Sequence, residues 1–525
     1  MVQPFPVRES SILGLAELVS RLLGLLFLAR FVTTLGLAES AEFRMLLPLI
    51  GVAATLGTVG LPQALTRLFA TSAREEGRPV PLPLLSAAAI GTGCAIGFAL
   101  LLLFGLSSLA SQQAIDRQEL ALLLGATVPL LLLICVTGSL RGALLGLGHT
   151  YSPALSQVLE VSVRLVALTY WLPMLTFEEV RSAELGILTL TLGEAASCLL
   201  LSIMLWRVLK RRGVRQQRSQ RALFSILRMS FAPTGQALLA SLGYALELPL
   251  AHRLLAQAHG EQLASVWLAE YATIALPLLC APMVLTDGIA TALLPVAAAE
   301  RLQRQRGAFS IHLRRIIGAV MMVALPASGA LIVLAPQLEA WFRAPGASLL
   351  LWLLAPIALP LYLQAPLSAL LQAQGRSRAL LYAGLLGDLV RLLAICLLLQ
   401  PGQFERSGLA LSFWLATLVQ TGTLLWMLSR LSIVSVPWRT LYHSFQAALT
   451  LSALLLVGLH VPFPFSFAAH PFLWSAAAAL SCLCTLLVAE EISPQSLARL
   501  PIIGSTARFL SEKLLLLSQK GSSSM

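Results

Sequence analysis

The stretch Arg141–Arg164, RGALLGLGHTYSPALSQVLEVSVR, gathers the residue types best able to do chemistry in this 525-residue chain. An apolar segment ends at Arg141, a Gly-rich turn with His149 and Thr150 follows, and Pro153 stands where a new apolar helix begins. Proline is tolerated there, because its missing N–H would have had no partner in the first turn. Along the helix come Gln157, Glu160 and Arg164, and the last two, four apart, share one face. Both fall roughly midway along a segment long enough to cross a bilayer, where an ionisable group is costly without a partner or a cavity. A charged pair buried at that depth marks where a transport function could reside.

Other apolar segments carry polar groups of the same kind. The first holds Glu17 and Arg21, one turn apart and able to pair, and Arg30 toward its outer end, placed to snorkel. Glu194 lies in the sixth segment, Glu247 and Arg253 in the seventh, Asp287 in the eighth, and Asp388 with Arg391 in the eleventh. Glu247 and Arg253 are six apart, so they point to different faces and each must find a cavity or another helix. Two readings of the spaced pairs stay open: internal salt bridges that hold helices in register, or groups that couple an ion. Guanidinium pairs well with phosphate oxygens, so several arginines around one cavity would suit a diphosphate. Arg21, Arg30, Arg253, Glu17 and Gln157 form the candidate substrate-binding set. Glu160, Arg164, Glu247, Asp287, Asp388 and Arg391 form the candidate coupling or structural set.

Catalytic signatures are missing. No HExxH, GxSxG or P-loop run occurs, and the seven histidines are scattered over loop or interfacial positions. The seven cysteines (Cys94, Cys135, Cys198, Cys280, Cys396, Cys482 and Cys484) sit in apolar segments without metal-ligand spacing. No metal and no cofactor is expected, although coupling to an ion gradient or membrane potential is.

The elements that position these groups are membrane helices. The chain is 57% hydrophobic and 11% charged, far below the roughly 25% charge of a soluble domain. Its mean hydropathy is +0.83. A spanning helix needs about 20 mostly apolar residues, and by that measure about fourteen segments appear. They begin near residues 9, 43, 81, 120, 151, 183, 226, 264, 311, 348, 378, 407, 440 and 468. The start, MVQPFPVRESS, has no basic region leading into a short apolar run and a cleavage site, so the first helix is expected to stay. The net charge of +12 reads as topology rather than nucleic-acid binding, because even-numbered links are basic and odd-numbered ones acidic or short. Both termini are therefore expected on the cytoplasmic side.

The basic link Arg207–Arg228 divides the bundle, and a repeat crosses it. GHTYSPALSQVLEVSVRL, from Gly148, aligns without a gap on GRSRALLYAGLLGDLVRL, from Gly375, and TVGLPQAL from Thr58 matches TDGIATAL from Thr286 at nearly the same offset. The expected architecture is all-α and polytopic, with two pseudo-repeated six-helix lobes at 1–208 and 226–430. A basic linker at 209–225 joins them, two added helices occupy 431–491, and an amphipathic helix with a tail fills 492–525. Repeats of this kind place a substrate site at the lobe interface near the midplane.

At this point a resemblance enters. RGALLGLGHTYSPALSQVLEVSVR resembles the signature of the stage V sporulation protein B family. That family sits in the murein-precursor flippase branch of the multidrug/oligosaccharidyl-lipid/polysaccharide exporter superfamily. VSRLLGLLFLARFVTTLG and PLIGVAATLGTVGLPQALTRLFA look like its first two helices, and YATIALPLLCAPMVLTDGIATALLPVAAAE like its eighth. The resemblance spans most of Ser10–Arg430, and Arg141, Gly142, Pro153, Ser156, Gln157, Glu160 and Arg164 carry its signature. It implies fourteen helices around a central cavity that opens alternately to each side of the bacterial cytoplasmic membrane. It also implies a polyprenyl-diphosphate-linked glycan as substrate, lipid II first, with membrane lipids and cell-wall synthases as neighbours and a monomer as the working unit. Arg21 occupies the position of a family cavity arginine. Where the family often carries a further basic residue two turns on, this chain has Phe27 and Leu28, with Arg30 nearby. A flippase for another lipid-linked glycan is the first alternative. A cation-coupled drug antiporter is the second, and it would centre on an unpaired carboxylate in a first lobe whose first helix is here basic.

Overall fold

The computed structural model describes residues 7–58, 117–149, 151–171, 182–211, 245–287, 306–374, 376–402, 404–431, 435–461 and 471–489, with single positions among 61–69, 238–243 and 290. The expected segment near 81, much of the one near 226, the basic link beyond 211 and the amphipathic helix past 491 lie outside these residues. Among the described residues the chain is helical and contains no strand. Eight helices among the described residues are long and apolar enough to cross a membrane, and this is a multi-pass membrane protein.

The chain parts into two compact units. The first comprises Ile12–Thr273 with Ile395–Glu405. It contains α1 (Val7–Leu35, from residue 12), α2 (Leu37–Thr58), α3 (Arg117–Gly146), α4 (Tyr151–Val166) and α5 (Ser182–Arg211). Helical residues 245–259 (α6) and α7 (Glu261–Ala269) complete it. Its core joins Phe27 and Phe31 of α1 with Phe43 and Ile50 of α2, Leu130 and Cys135 of α3, and Ile187 of α5. Phe31 is the hub, with ring centroids 5.7 Å from Phe27 and 4.8 Å from Phe43. Burying a large aromatic contributes on the order of 2–3 kcal/mol in water, but between lipid-solvated helices close packing replaces that driving force.

Close packing is written as glycine spacing on α3. A Cβ on Gly142 would fall 2.3 Å from the Pro62 carbonyl oxygen, and one on Gly146 2.6 Å from that of Thr66. Gly138 stands one turn earlier on the same stripe, where a Cβ would lie 3.2 Å from the Pro62 ring. Small residues four apart let backbones approach, and the Thr66 hydroxyl uses the approach to donate to the Gly142 carbonyl at 3.0 Å. The helix ends at Gly148 (φ 81°), where the N–H of Gly148 reaches the Leu145 carbonyl and that of His149 the Leu144 carbonyl. This Gly-capped stop turns the chain into α4.

The second unit, Ile274–Ala394 with Arg406–Met525 and Met1–Ser11, contains α8 (Leu276–Cys280) and α9 (Arg306–Phe342). It continues through α10 (Ala347–Leu354), α11 (Ala358–Ala373), α12 (Ser377–Leu398, to residue 394) and α13 (Ser407–Ser429). α14 (Trp438–His460) and α15 (Pro471–Val488) close it. Prolines inside its helices leave carbonyls open, and side chains fill them. Pro336 in α9 has no N–H for Ile332 four residues back, and the Trp352 indole donates to that carbonyl at 2.9 Å. Between α10 and α11, a 3-10 turn at Ala355–Ile357 leaves carbonyls that Ser328 and Trp414 reach at 2.8 and 2.7 Å.

Candidate functional site

Three helices of the first unit converge on one charged cluster. Thr137 and Arg141 stand four apart on α3, Glu160 and Arg164 four apart on α4, and Glu194 and Ser197 three apart on α5. Each helix therefore offers two polar groups to the same spot. Arg141 donates to Glu160 at 2.5 Å and to the Ser197 hydroxyl at 3.0 Å. Arg164 donates to the other oxygen of Glu160 and lies 3.6 Å from Glu194, to which Thr137 donates at 2.9 Å. Glu160 and Glu194 are each 7% exposed, so neither charge could sit there alone. Two arginines against two carboxylates make the cluster neutral when all four groups are ionised.

Glycine admits the cluster. A Cβ on Gly193 would lie 2.6 Å from Arg164 Cγ and 2.8 Å from the Glu160 carbonyl oxygen, so α5 can approach α4 only with hydrogen at that position. The expected Glu160–Arg164 pair is thus formed, but as half of a larger assembly. Arg141, which the sequence placed at the end of a segment, belongs to the interior of α3. Its partner is reached across the Gly148 turn.

On α1 the Glu17–Arg21 pair forms at 3.1 Å, with side chains 41% and 33% exposed. Arg30 is exposed, whereas Phe27 is buried in the aromatic core and Leu28 is buried beside it in sequence. Gln157 is half-buried. Glu247 and Arg253 do point apart: Glu247 is 1% exposed and accepts from the Tyr271 hydroxyl at 3.0 Å, while Arg253 is exposed. Glu270, equally buried, was not read as a candidate from the sequence. It opens a π-helical segment, Glu270–Ala275, and such bulges gather at functional sites. In the second unit Asp287 and Asp388 are half-buried, and the Arg391 guanidinium lies over the Phe413 ring at 4.7 Å. The structure does not gather the eleven candidates into one constellation within either unit. It brings together Glu17 with Arg21, and Glu160 with Arg164. Among the described residues no group of three or more His, Cys, Asp or Glu side chains could hold a metal, and all six described cysteines are free thiols.

Residues 7–300 match the family model described as polysaccharide biosynthesis protein. Stage V sporulation protein B of Bacillus subtilis (strain 168) is 27% identical over 521 residues, which is 95% of this chain and 98% of that protein. Among solved structures, the lipid II flippase MurJ in an inward closed conformation superposes with a TM-score of 0.65 at 14% identity, over 93% of this chain and 99% of that one. The inward-facing conformation of a multidrug resistance MATE family transporter of the MOP superfamily gives 0.64 at 17%, over 80% and 98%. At these identities the two structures speak to the fold. By name they are a flippase and a transporter, not enzymes.

Proposed function

This chain belongs to the polysaccharide biosynthesis protein family, and from that premise we propose that it is a flippase for a polyprenyl-diphosphate-linked glycan, lipid II, in the bacterial cytoplasmic membrane. The observation that carries the reading is Arg21, a guanidinium one-third exposed on a largely apolar helix. A sugar diphosphate cannot cross hydrocarbon unaided, because its polar groups would lose water without replacement. Arg21 answers that cost at the diphosphate, since guanidinium binds phosphate oxygens through paired N–H donors. Glu17 holds Arg21 in place until phosphate displaces it. Arg30 and Arg253 are exposed and complete the cationic set, and Gln157 serves the glycan. Access alternates between the two sides of the membrane, both termini face the cytoplasm, the protein works as a monomer, and cell-wall synthases are its neighbours.

Binding to lipid II in nanodiscs tests this reading. Lipid II is expected to bind and to resist competition by small organic cations. Ion-dependent efflux of such cations with no lipid II binding would instead identify a drug antiporter. Binding of a different polyprenyl-linked glycan in place of lipid II would keep the class and change the substrate.

A further inference from the structure

We infer that Glu194 is a proton-binding carboxylate, whose charge state sets the charge of the cluster it forms with Arg141, Glu160 and Arg164. The site rests on geometry alone; what the proton does rests on the flippase reading.

The two buried carboxylates of the cluster are held unequally. Glu160 accepts from two guanidiniums, one on each oxygen. Glu194 has the Thr137 hydroxyl at 2.9 Å, while Arg164 stands 3.6 Å away, beyond hydrogen-bond length. Even the Thr137 bond is contested. That hydroxyl has one hydrogen and also faces the Leu133 carbonyl at 2.9 Å and the Ile134 carbonyl at 3.1 Å. A proton taken from water onto Glu194 Oε2 lets Glu194 donate to Thr137 Oγ1, whose own hydrogen then turns to Leu133. The same heavy-atom geometry therefore serves both charge states.

The groups facing Glu194 can be named element by element. α3 presents Thr137 and Arg141, α4 presents Glu160 and Arg164, and α5 itself carries Ser197 and Cys198. α2 meets α5 through the Phe43 ring over Gly186, and the π turn after α4 carries Tyr170, which is exposed. Glu160 is thus the other carboxylate in the set, and it is already committed to two arginines. Uptake of one proton takes the cluster from neutral to one net positive charge and releases Arg164 from its second carboxylate. An anionic headgroup is favoured by that change, and linkage makes the preference mutual.

The test is the pH-dependent infrared difference spectrum of the full chain in liposomes without substrate. A protonated-carboxyl band is expected to titrate in the wild type, to vanish in Glu194→Gln and to persist in Asp388→Asn. Thr137→Val keeps Glu194 in place, so it guards against a misfolded glutamine variant, and it is expected to displace the midpoint of the band. Absence of a titrating band, its survival in Glu194→Gln, or an unmoved midpoint in Thr137→Val would overturn the assignment. Lipid II translocation in proteoliposomes is expected to lose its response to a pH gradient in Glu194→Gln. Failure of the wild type to move lipid II would remove the flippase reading, and the infrared band would still decide the proton site.

Discussion

Replacing Glu160 with glutamine removes the one anion that holds two arginines. The amide keeps a carbonyl oxygen, but its NH2 group then faces a guanidinium, donor against donor. Removing one partner of a buried ion pair costs about 3–5 kcal/mol, whereas an exposed pair contributes about 0–1 kcal/mol. Here the Glu160 side chain is 10% exposed, and those of Arg141 and Arg164 are 26% and 20% exposed. The cations are thus partly accessible and the anion hardly at all, which puts the loss near the lower bound, about 3 kcal/mol. At about 1.4 kcal/mol per factor of ten, the folded-to-unfolded ratio falls on the order of a hundredfold. Reversible unfolding in mixed micelles of rising denaturing-detergent content measures this, with Arg164→Gln and the double variant completing a cycle. Contact residues are expected to couple by about 0.5–3 kcal/mol. A Glu160→Gln protein within about 0.5 kcal/mol of wild type would refute the reasoning, because that is what an ordinary surface substitution does.

Gly193→Ala forces a Cβ to within 2.6 Å of the Arg164 stem, and overpacking of this kind is expected to cost about 1–3 kcal/mol in the same assay. Tyr271→Phe takes the hydroxyl donor from Glu247, whose burial makes the loss about 1–3 kcal/mol; an unchanged unfolding midpoint would speak against that bond.

The fold was legible because the hydrophobic run is a length measurement. Segments expected near 151, 183, 378, 407 and 440 correspond to helices beginning at Tyr151, Ser182, Ser377, Ser407 and Trp438. The turn at Gly148 was legible too, since glycine after an apolar segment stops a helix. Local pairs could be read from spacing: Glu17 with Arg21 and Glu160 with Arg164 are one turn apart, and both form. What spacing cannot supply is the third dimension. Arg141 joins Glu160 from the helix before, 19 residues away, and Glu194 joins through Arg164 from the helix after. Only the glycine at 193 hinted that α4 and α5 touch there, and a lone glycine has many meanings. The Gly148/Gly375 repeat aligned Arg164 with Arg391, and both lie in helices that open at the same register to within one residue. Arg164 meets the Glu194 carboxylate of α5 and Arg391 the Phe413 ring of α13, partners that come from outside the aligned segments. Glu270 was missed for a related reason: its π-helical segment adds a residue to a turn, which no apolar period reveals.

The most direct test of the central claim is lipid II translocation by the purified protein in proteoliposomes, wild type against Arg21→Ala. The account predicts that the wild type moves the headgroup across the bilayer. It predicts that the Arg21→Ala protein, inserted and folded, does not. Headgroup movement at the wild-type rate by a well-folded Arg21→Ala protein would contradict it.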